Sequence, residues 1–264
     1  MSIGTASTET KRDTISAFIV CCNEERNIRR CLESVKWCDE IIVVDSGSTD
    51  ATISICKEYT DKIHYRAWTG FVDQKRYALS LCSSDWILNL DADEEVSDEL
   101  HREILSCLHR SAQGDATAGY FLSRVVFHLG KWWRKGGWYP EYRLRLCKRS
   151  ATIWGGADPH EKAEVSGPTL RLKGELKHYT YADLSNQIAA LNRFSETAAR
   201  TMHQKGKKAS LFNILGRPPL RFLKFFILKK GFLEGFPGFV VACLESYYVF
   251  LKYVKLWELE HRQK

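Results

Sequence analysis

Two short apolar runs in this chain each stop at an aspartate. Glu40-Ile41-Ile42-Val43-Val44 ends at Asp45, and Trp86-Ile87-Leu88-Asn89-Leu90 ends at Asp91-Ala92-Asp93-Glu94-Glu95. Carboxylates where buried strands leave a sheet stand where α/β proteins collect ligands, beyond the carboxyl ends of the strands. Hard divalent cations such as Mg2+ are held by one or two carboxylates together with phosphate oxygens. The Asp91-x-Asp93 spacing therefore points to a nucleotide-diphosphate substrate. Taken alone, the same two residues also suit a solvated strand end and a helix cap, so their meaning rests on the elements around them.

Those elements alternate. Ile15-Ser16-Ala17-Phe18-Ile19-Val20-Cys21 reads as a first strand, followed by Asn23-Glu24-Glu25 and a helix with Ile28, Leu32 and Val35 on one face. After the second strand comes the turn-rich Ser46-Gly47-Ser48-Thr49-Asp50, where small polar side chains can cap a helix starting near Thr49 or Asp50. Strand and helix in alternation predict an α/β fold with right-handed crossovers and a mostly parallel sheet flanked by helices.

With these residues in hand, the chain resembles the family 2 glycosyltransferases of GT-A (Rossmann-like) fold. Three motifs carry the resemblance in order: Phe18 to Glu25, Val43 to Asp50 and Leu90 to Glu94. Later patterns, Gln74-Lys75-Arg76-Tyr77-Ala78-Leu79, Trp138-Tyr139-Pro140-Glu141 with Arg145-Leu146, and His160-Glu161, are similar to the bacterial lipopolysaccharide-core β-1,4-glucosyltransferase group. The resemblance covers roughly residues 14 to 200. It implies an inverting transferase that needs a divalent metal, Mg2+ or Mn2+, and donor-nucleotide contacts from Asn23, Glu25, Asp45, Ser46, Lys75 and Asp91. Ser46 stands where many members have a second aspartate, so a nucleobase contact by that carboxylate does not carry over. Arg76 replaces a usual asparagine, and Glu141 a usual aspartate.

Sugar transfer from such a donor requires that the leaving diphosphate be stabilised and the acceptor hydroxyl lose its proton. A metal at Asp93 would serve the first need, with His178 as a second ligand by analogy with related enzymes. Asp91 would meet the ribose or the metal's water, and Glu95 is a weaker candidate. The base is expected in Gly155-Gly156-Ala157-Asp158-Pro159-His160-Glu161, with Glu161 first and Asp158 second; the same segment could equally be a turn followed by a solvated glutamate. His160 would orient the base or the acceptor. Trp138, within the basic aromatic stretch Lys131 to Tyr139, would stack on a sugar, and Arg143 and Arg145 would meet acceptor or phosphate, unless they line a solvent face.

Charge divides the chain. Residues 200–264 hold 13 Lys and Arg against 4 Asp and Glu, and the rest holds 26 against 28. The basic part is also rich in Phe, Leu, Tyr and Trp, which suits the surface of an anionic bilayer. Glu234, Glu245, Lys252 and Lys255 interrupt every stretch approaching the roughly 20 apolar residues of a spanning helix. Interfacial amphipathic helices are expected, and a shallow insertion or a role as core or subunit contact stays open, as does an oligomer. Nucleic acid is not an expected partner, because the segment is too apolar for a phosphate-tracking surface. The expected organisation is a flexible tail over 1–13, a catalytic domain over 14–205 and a membrane-associating helical region over 206–264.

The nine cysteines form no C-x-x-C pair and read as free thiols of a reducing compartment. The polar first dozen residues contain no apolar signal core. The expected setting is thus the cytoplasmic face of the inner membrane, with a nucleotide sugar, UDP-glucose first, as donor and a lipid-linked saccharide such as lipopolysaccharide core as acceptor. A polyprenyl-phosphate or other envelope glycosyltransferase is the alternative. A nucleotidyltransferase would need a glycine-rich basic loop after the first strand, which Cys22-Asn23-Glu24-Glu25 is not. A non-catalytic membrane scaffold would explain the basic end and leave Asp45, Asp91 and Asp93 without a purpose.

Overall fold

The computed structural model describes residues 12–157 and 160–261. In chain order the elements are β1 (Ile15–Cys21), α1 (Ile28–Val35), β2 (Glu40–Asp45), α2 (Thr52–Cys56), β3 (Ile63–Tyr65), α3 (Phe71–Leu81), β4 (Trp86–Asp91), β5 (Glu94–Val96) and α4 (Asp98–Ala112). They continue with β6 (Gly119–His128), β7 (Lys131–Trp133), β8 (Glu141–Lys148), β9 (Thr152–Ala157), β10 (His160–Val165), β11 (Thr169–His178), α5 (Leu184–Gln204), α6 (Arg217–Leu223) and α7 (Phe236–His261). The main sheet runs β3-β2-β1-β4-β8-β6-β11-β5. Its first four strands are parallel, as the alternation predicts; from β4 outward the measured pairings are antiparallel.

The chain divides into two compact units. One comprises the chain up to Arg124 together with Glu141–His178; the other comprises Val125–Pro140 and the chain from Tyr179 onward. α5, within the span 14–205 expected for the catalytic domain, groups here with the C-terminal helices. Its Lys255 anchor explains why: that ammonium, on α7, donates to Asn192 O and Oδ1 at 2.7 Å each and to Ser195 Oγ at 2.9 Å. Ala199 of α5 also shares an apolar cluster with Tyr253 and Leu256. The N-terminal tail expected over 1–13 lies largely outside the described residues.

In the first unit the core forms as the sequence dictates. β1, β2 and β4 carry apolar residues on both faces because helices cover both sides. Ile28, Cys31, Leu32 and Val35 of α1 seal one side and Ala78 of α3 the other. Gly174 lets β11 lie directly on α4, for a Cβ there would come within 2.5 Å of the Leu100 backbone. The carboxylate of Glu103 on α4 accepts from the N–H groups of Lys173 and Gly174 at 2.9 and 2.8 Å.

In the second unit, Val126, Trp133, Phe225, Val241 and Ala242 form one buried cluster, and Glu234 accepts from the N–H groups of Arg134 and Lys135 at 3.1 and 2.8 Å. No helix among the described residues is long and apolar enough to cross a membrane. All nine cysteines are free, six of them buried.

Candidate active site

The register of the parallel strands sets the site. Cys21 at the end of β1 pairs with Asp45, and Val20 with Asp91, so the two aspartates leave the sheet on either side of one strand. Asp45 turns back on its own loop. Its carboxylate accepts from the N–H groups of Gly47 and Ser48 at 2.9 and 3.0 Å, in a turn that the positive φ of Gly47 permits. The neighbouring loop is tied to it: Asn23 Oδ1 accepts from Thr49 N at 2.8 Å, Asn23 N donates to Ser48 Oγ at 2.8 Å, and Glu25 Oε2 accepts from Ala51 N at 3.0 Å. Asn23, Glu25 and Asp45 therefore hold two strand-end loops as one platform, beside which Ser46 N donates to Cys21 O at 2.9 Å.

Asp91 is held by cations. Lys75 Nζ reaches Asp91 Oδ1 at 2.7 Å and Asn89 Oδ1 at 3.2 Å, and Arg145 donates to Asp91, to Asn89 Oδ1 at 2.6 Å and to Glu94 Oε1 at 2.7 Å. Burial opposes ionisation of Asp91, yet Arg145 and Lys75 hold its carboxyl well below the usual carboxylate range. Burial likewise disfavours the Arg145 cation, and the charges of Asp91 and Glu94 outweigh it and raise its pKa. Glu94 completes the knot: its Oε2 accepts from Asp91 N at 3.0 Å. Arg124 bridges onward at 3.4 Å to Glu94 and 3.0 Å to Glu141, whose carboxyl is lowered by Arg124 and Arg143 against the effect of burial.

Asp93 leaves this knot on the far side of Ala92 and meets His178, whose Nε2 lies 3.1 Å from Asp93 Oδ2. The pairing follows from β5 and β11, whose register sets His178 opposite Glu94. Burial and the neighbouring charges of Asp93, Asp50 and Asp91 push the Glu24 carboxyl up, so negative charge converges on this end of the sheet. Among the described residues no group of three His, Cys, Asp or Glu side chains is gathered as a complete metal site. A carboxylate and an imidazole in contact nonetheless fit a cation that takes its remaining ligands from substrate phosphates and water. Glu95 is turned elsewhere, to Lys177 at 2.8 Å and Arg30 at 3.9 Å.

Beside Asp91 opens a cavity of about 490 Å³ lined by Arg124, Arg143, Arg145, Trp154 and Glu161 among others. β9 and β10 form a two-stranded antiparallel hairpin in which Glu161 pairs with Gly156, which sets Glu161 on the cavity wall. Asp158 lies outside the described residues, and of His160 only the backbone, at the start of β10, is described. Trp138 is in the second unit, where its ring packs 5.0 Å from that of Trp133 and 6.2 Å from Phe225.

Several contributors escape sequence reasoning. Glu94 and Asn89 are buried beside the charged knot, and Arg124 joins it from β6. Trp154 lines the cavity under Lys75, and Arg76 donates to Trp154 O at 2.7 Å, fixing β9 to α3. A buried asparagine in an otherwise apolar strand was the one available signal for this network. The N–H groups Arg145 Nε and Trp154 Nε1, and Asn89 Nδ2, are buried without a hydrogen-bond acceptor among the described residues. Each such group costs about 1–3 kcal/mol unless a ligand or solvent meets it.

Comparison with known proteins places this arrangement. The family model described as "Glycosyl transferase family 2" matches residues 16–156. The chain is 31% identical over 251 residues to the lipopolysaccharide core biosynthesis glycosyltransferase LpsC of Rhizobium meliloti (strain 1021), covering 92% of each chain. It is 32% identical to an uncharacterized glycosyltransferase of Rickettsia typhi, covering 95% of this chain and 89% of that one. Among solved structures, S. aureus TarS 1-349 aligns over 95% of this chain and 91% of its own at 14% identity, with a TM-score of 0.42. Glucosyl-3-phosphoglycerate synthase from Mycobacterium tuberculosis, in complex with Mn2+ and UDP-glucose, aligns over 44% of each chain at 21% identity, with a TM-score of 0.34. With its mixed α/β sheet of GT-A type, parallel through β3-β2-β1-β4, the chain belongs to glycosyl transferase family 2.

Proposed function

We propose that the protein is an inverting, metal-dependent glycosyltransferase that moves a hexose, glucose first among candidates, from a nucleotide-diphosphate donor to a lipid-linked saccharide of the lipopolysaccharide-core type. The observation that carries this reading is the contact of Asp93 with His178 at the strand ends, beside a cavity walled by Glu161. The role named for the R. meliloti relative, lipopolysaccharide core biosynthesis, supports the choice of acceptor class.

The residues divide the work. The loops joined through Asn23, Asp45 and Glu25 form a rigid floor for the nucleoside. Asp93 and His178 would hold a Mg2+ or Mn2+ ion, which when bound offsets the charge growing on the departing diphosphate. Lys75 and Arg145 keep Asp91 ionised and fixed in place. Across the cavity, Glu161 takes the proton of the acceptor hydroxyl while that oxygen attacks the anomeric carbon on the face opposite the leaving group, which inverts the centre in one displacement. The open N–H groups of Arg145 and Trp154 suit the oxygen-rich surface of a sugar.

The exposed apolar and cationic side chains of the second unit support work at an anionic membrane surface. Donor hydrolysis and binding across a panel of nucleotide sugars, with and without Mn2+ or Mg2+, in wild type and Asp93→Ala, tests the reading. Turnover of one donor that requires metal and disappears in the variant is the expected result; no binding of any nucleotide sugar under either condition would overturn it.

A further inference from the structure

The corner between α6 and α7, residues 224–235, holds apolar side chains outward. Leu228 and Phe236 are 75% and 76% exposed, and Ile227, Phe232, Leu233 and Phe239 are exposed beside them. Ring contacts make this one patch: Phe236 stacks 6.4 Å from Phe239, whose ring lies 6.1 Å from Phe226, itself 6.3 Å from Phe232. Apolar surface gathered on this scale marks a place where something docks.

The backbone beneath the patch is fixed. Lys230 N donates to Ile227 O at 3.0 Å and Leu233 N to Lys230 O at 3.1 Å, so the turn sets Lys230 between two exposed apolar residues. In the stretch after β7, Gly136 N donates to Lys229 O at 3.0 Å, and the Lys229 stem lies beside Gly137. Buried Glu234 is tied to the same stretch through Lys131 and the N–H groups of Arg134 and Lys135. The first turn of α7 presses onto the corner at Gly238, where a Cβ would come within 2.0 Å of the Gly231 carbonyl.

Charge says what the patch meets. From 211 to 244 the only acidic residue is Glu234, whose carboxylate is turned inward. Lys224, Lys229 and Lys230 are exposed and make no ion pair among the described residues. A second copy docking through the same face would bring these lysines against their like. An anionic bilayer instead takes apolar tips into its acyl boundary while lysine stems lie along the surface and their ammonium groups reach phosphate. α7 is pinned to α6 by Arg221 with Glu245 and by Ser246 Oγ to Pro218 O at 2.8 Å, and to α5 by Lys255, so the helices do not peel apart to lie singly in the interface.

We propose that this corner enters an anionic bilayer end-on, with Ile227, Leu228, Leu233 and Phe236 in the acyl boundary and Lys224, Lys229 and Lys230 at the phosphates. The inference rests on the membrane-surface reading above and names the part of the chain that carries it. Leu211 supplies the contrast. It too is exposed, but it stands at the other end of the helical run 211–228, roughly 25 Å from Leu228 at about 1.5 Å per residue.

The test measures sedimentation of the intact chain with vesicles of phosphatidylcholine alone or mixed with phosphatidylglycerol, and amide hydrogen exchange in their presence. Wild type is expected to bind the anionic vesicles and to gain protection over 226–237 and not over 209–216. Leu228→Ser and Phe236→Ser should each weaken binding about tenfold or more, Lys224→Gln and Lys229→Gln roughly fivefold each, and Leu211→Ser not at all. Far-ultraviolet circular dichroism checks that each variant is folded, and either apolar variant suffices should the other fail to fold. An equal loss in Leu211→Ser, or protection spread evenly from 209 to 261, would overturn the end-on corner in favour of helices lying flat. So would a dimer in solution that Phe236→Ser breaks, which would assign the patch to a second copy. Anionic vesicles that bind wild type and both apolar variants alike would sink the corner and spare the membrane reading; no binding to any vesicle sinks both.

Discussion

The Asp93 carboxylate and the His178 imidazole, 85 positions apart in the chain, meet at 3.1 Å. The contact joins the end of one strand run to the end of another and leaves Asp93 without the cationic partners that hold Asp91. Two aspartates of one D-x-D thus have opposite surroundings: Asp91 sits among Lys75 and Arg145, and Asp93 faces an imidazole.

If this pair holds the metal, its two members should fail differently. Asp93→Asn is expected to lose the response of turnover to metal. His178→Ala should raise the Mn2+ concentration for half-maximal turnover by about 10- to 100-fold. Donor turnover measured against metal concentration for both variants checks this; an unchanged metal response in each would remove the pair from the site.

Glu161 stands on the cavity wall without a cationic partner among the described residues. As a general base it should be worth about 10²- to 10⁴-fold in kcat, so Glu161→Gln is expected to lose turnover to an acceptor while the donor dissociation constant stays put. Transfer assays beside calorimetric donor binding separate these quantities, and a parallel loss of both would make Glu161 a binding residue.

The Arg145 to Glu94 pair, with side chains 8% and 0% exposed, is a buried ion pair. Removing Glu94 takes one of the two carboxylates from Arg145, which keeps Asp91, and one of the two from Arg124, which keeps Glu141; breaking a buried pair costs up to about 3–5 kcal/mol. Glu94→Gln should therefore lower the midpoint of urea unfolding markedly, and a change under about 1 kcal/mol would show that water reaches the knot.

At the other end of the sheet, Glu40 clamps three segments: it pairs with Lys62 at 2.6 Å and accepts from Ser83 N at 2.9 Å and from the Ser16 hydroxyl. Burial opposes its charge, yet these partners lower its pKa from 4.5 to about 2. A depressed carboxyl stabilises the fold above its unfolded pKa, and that contribution is lost as pH falls through the folded one. Stability should thus fall between pH 4.5 and about 2 more steeply in wild type than in Glu40→Gln, as acid unfolding followed by circular dichroism will show.

Much of this was legible in advance for a physical reason. Strands buried on both faces read as unbroken apolar runs, so β1, β2 and β4 and the carboxylates that end them stand out. The charged knot does not, because Asn89, Glu94, Arg124 and Arg145 lie on different strands and only the sheet order brings them together. Nor does local pattern show that α5 packs on α7, or that Trp138 stacks against Trp133 and Phe225; both depend on pairings across long stretches of chain.

The discontinuous course of the chain carries a practical consequence. Because Val125–Pro140 belongs with the segment from Tyr179 onward, each compact unit is built from two separate stretches of the polypeptide. A stop codon after His178 would strip Phe225, Val241 and Ala242 from around Trp133 and Val126, leaving that hairpin's apolar side chains bare. Gene fusions and chimeras that swap the helical part among relatives must therefore exchange the hairpin along with it, for a single splice point would graft half of a core onto a stranger.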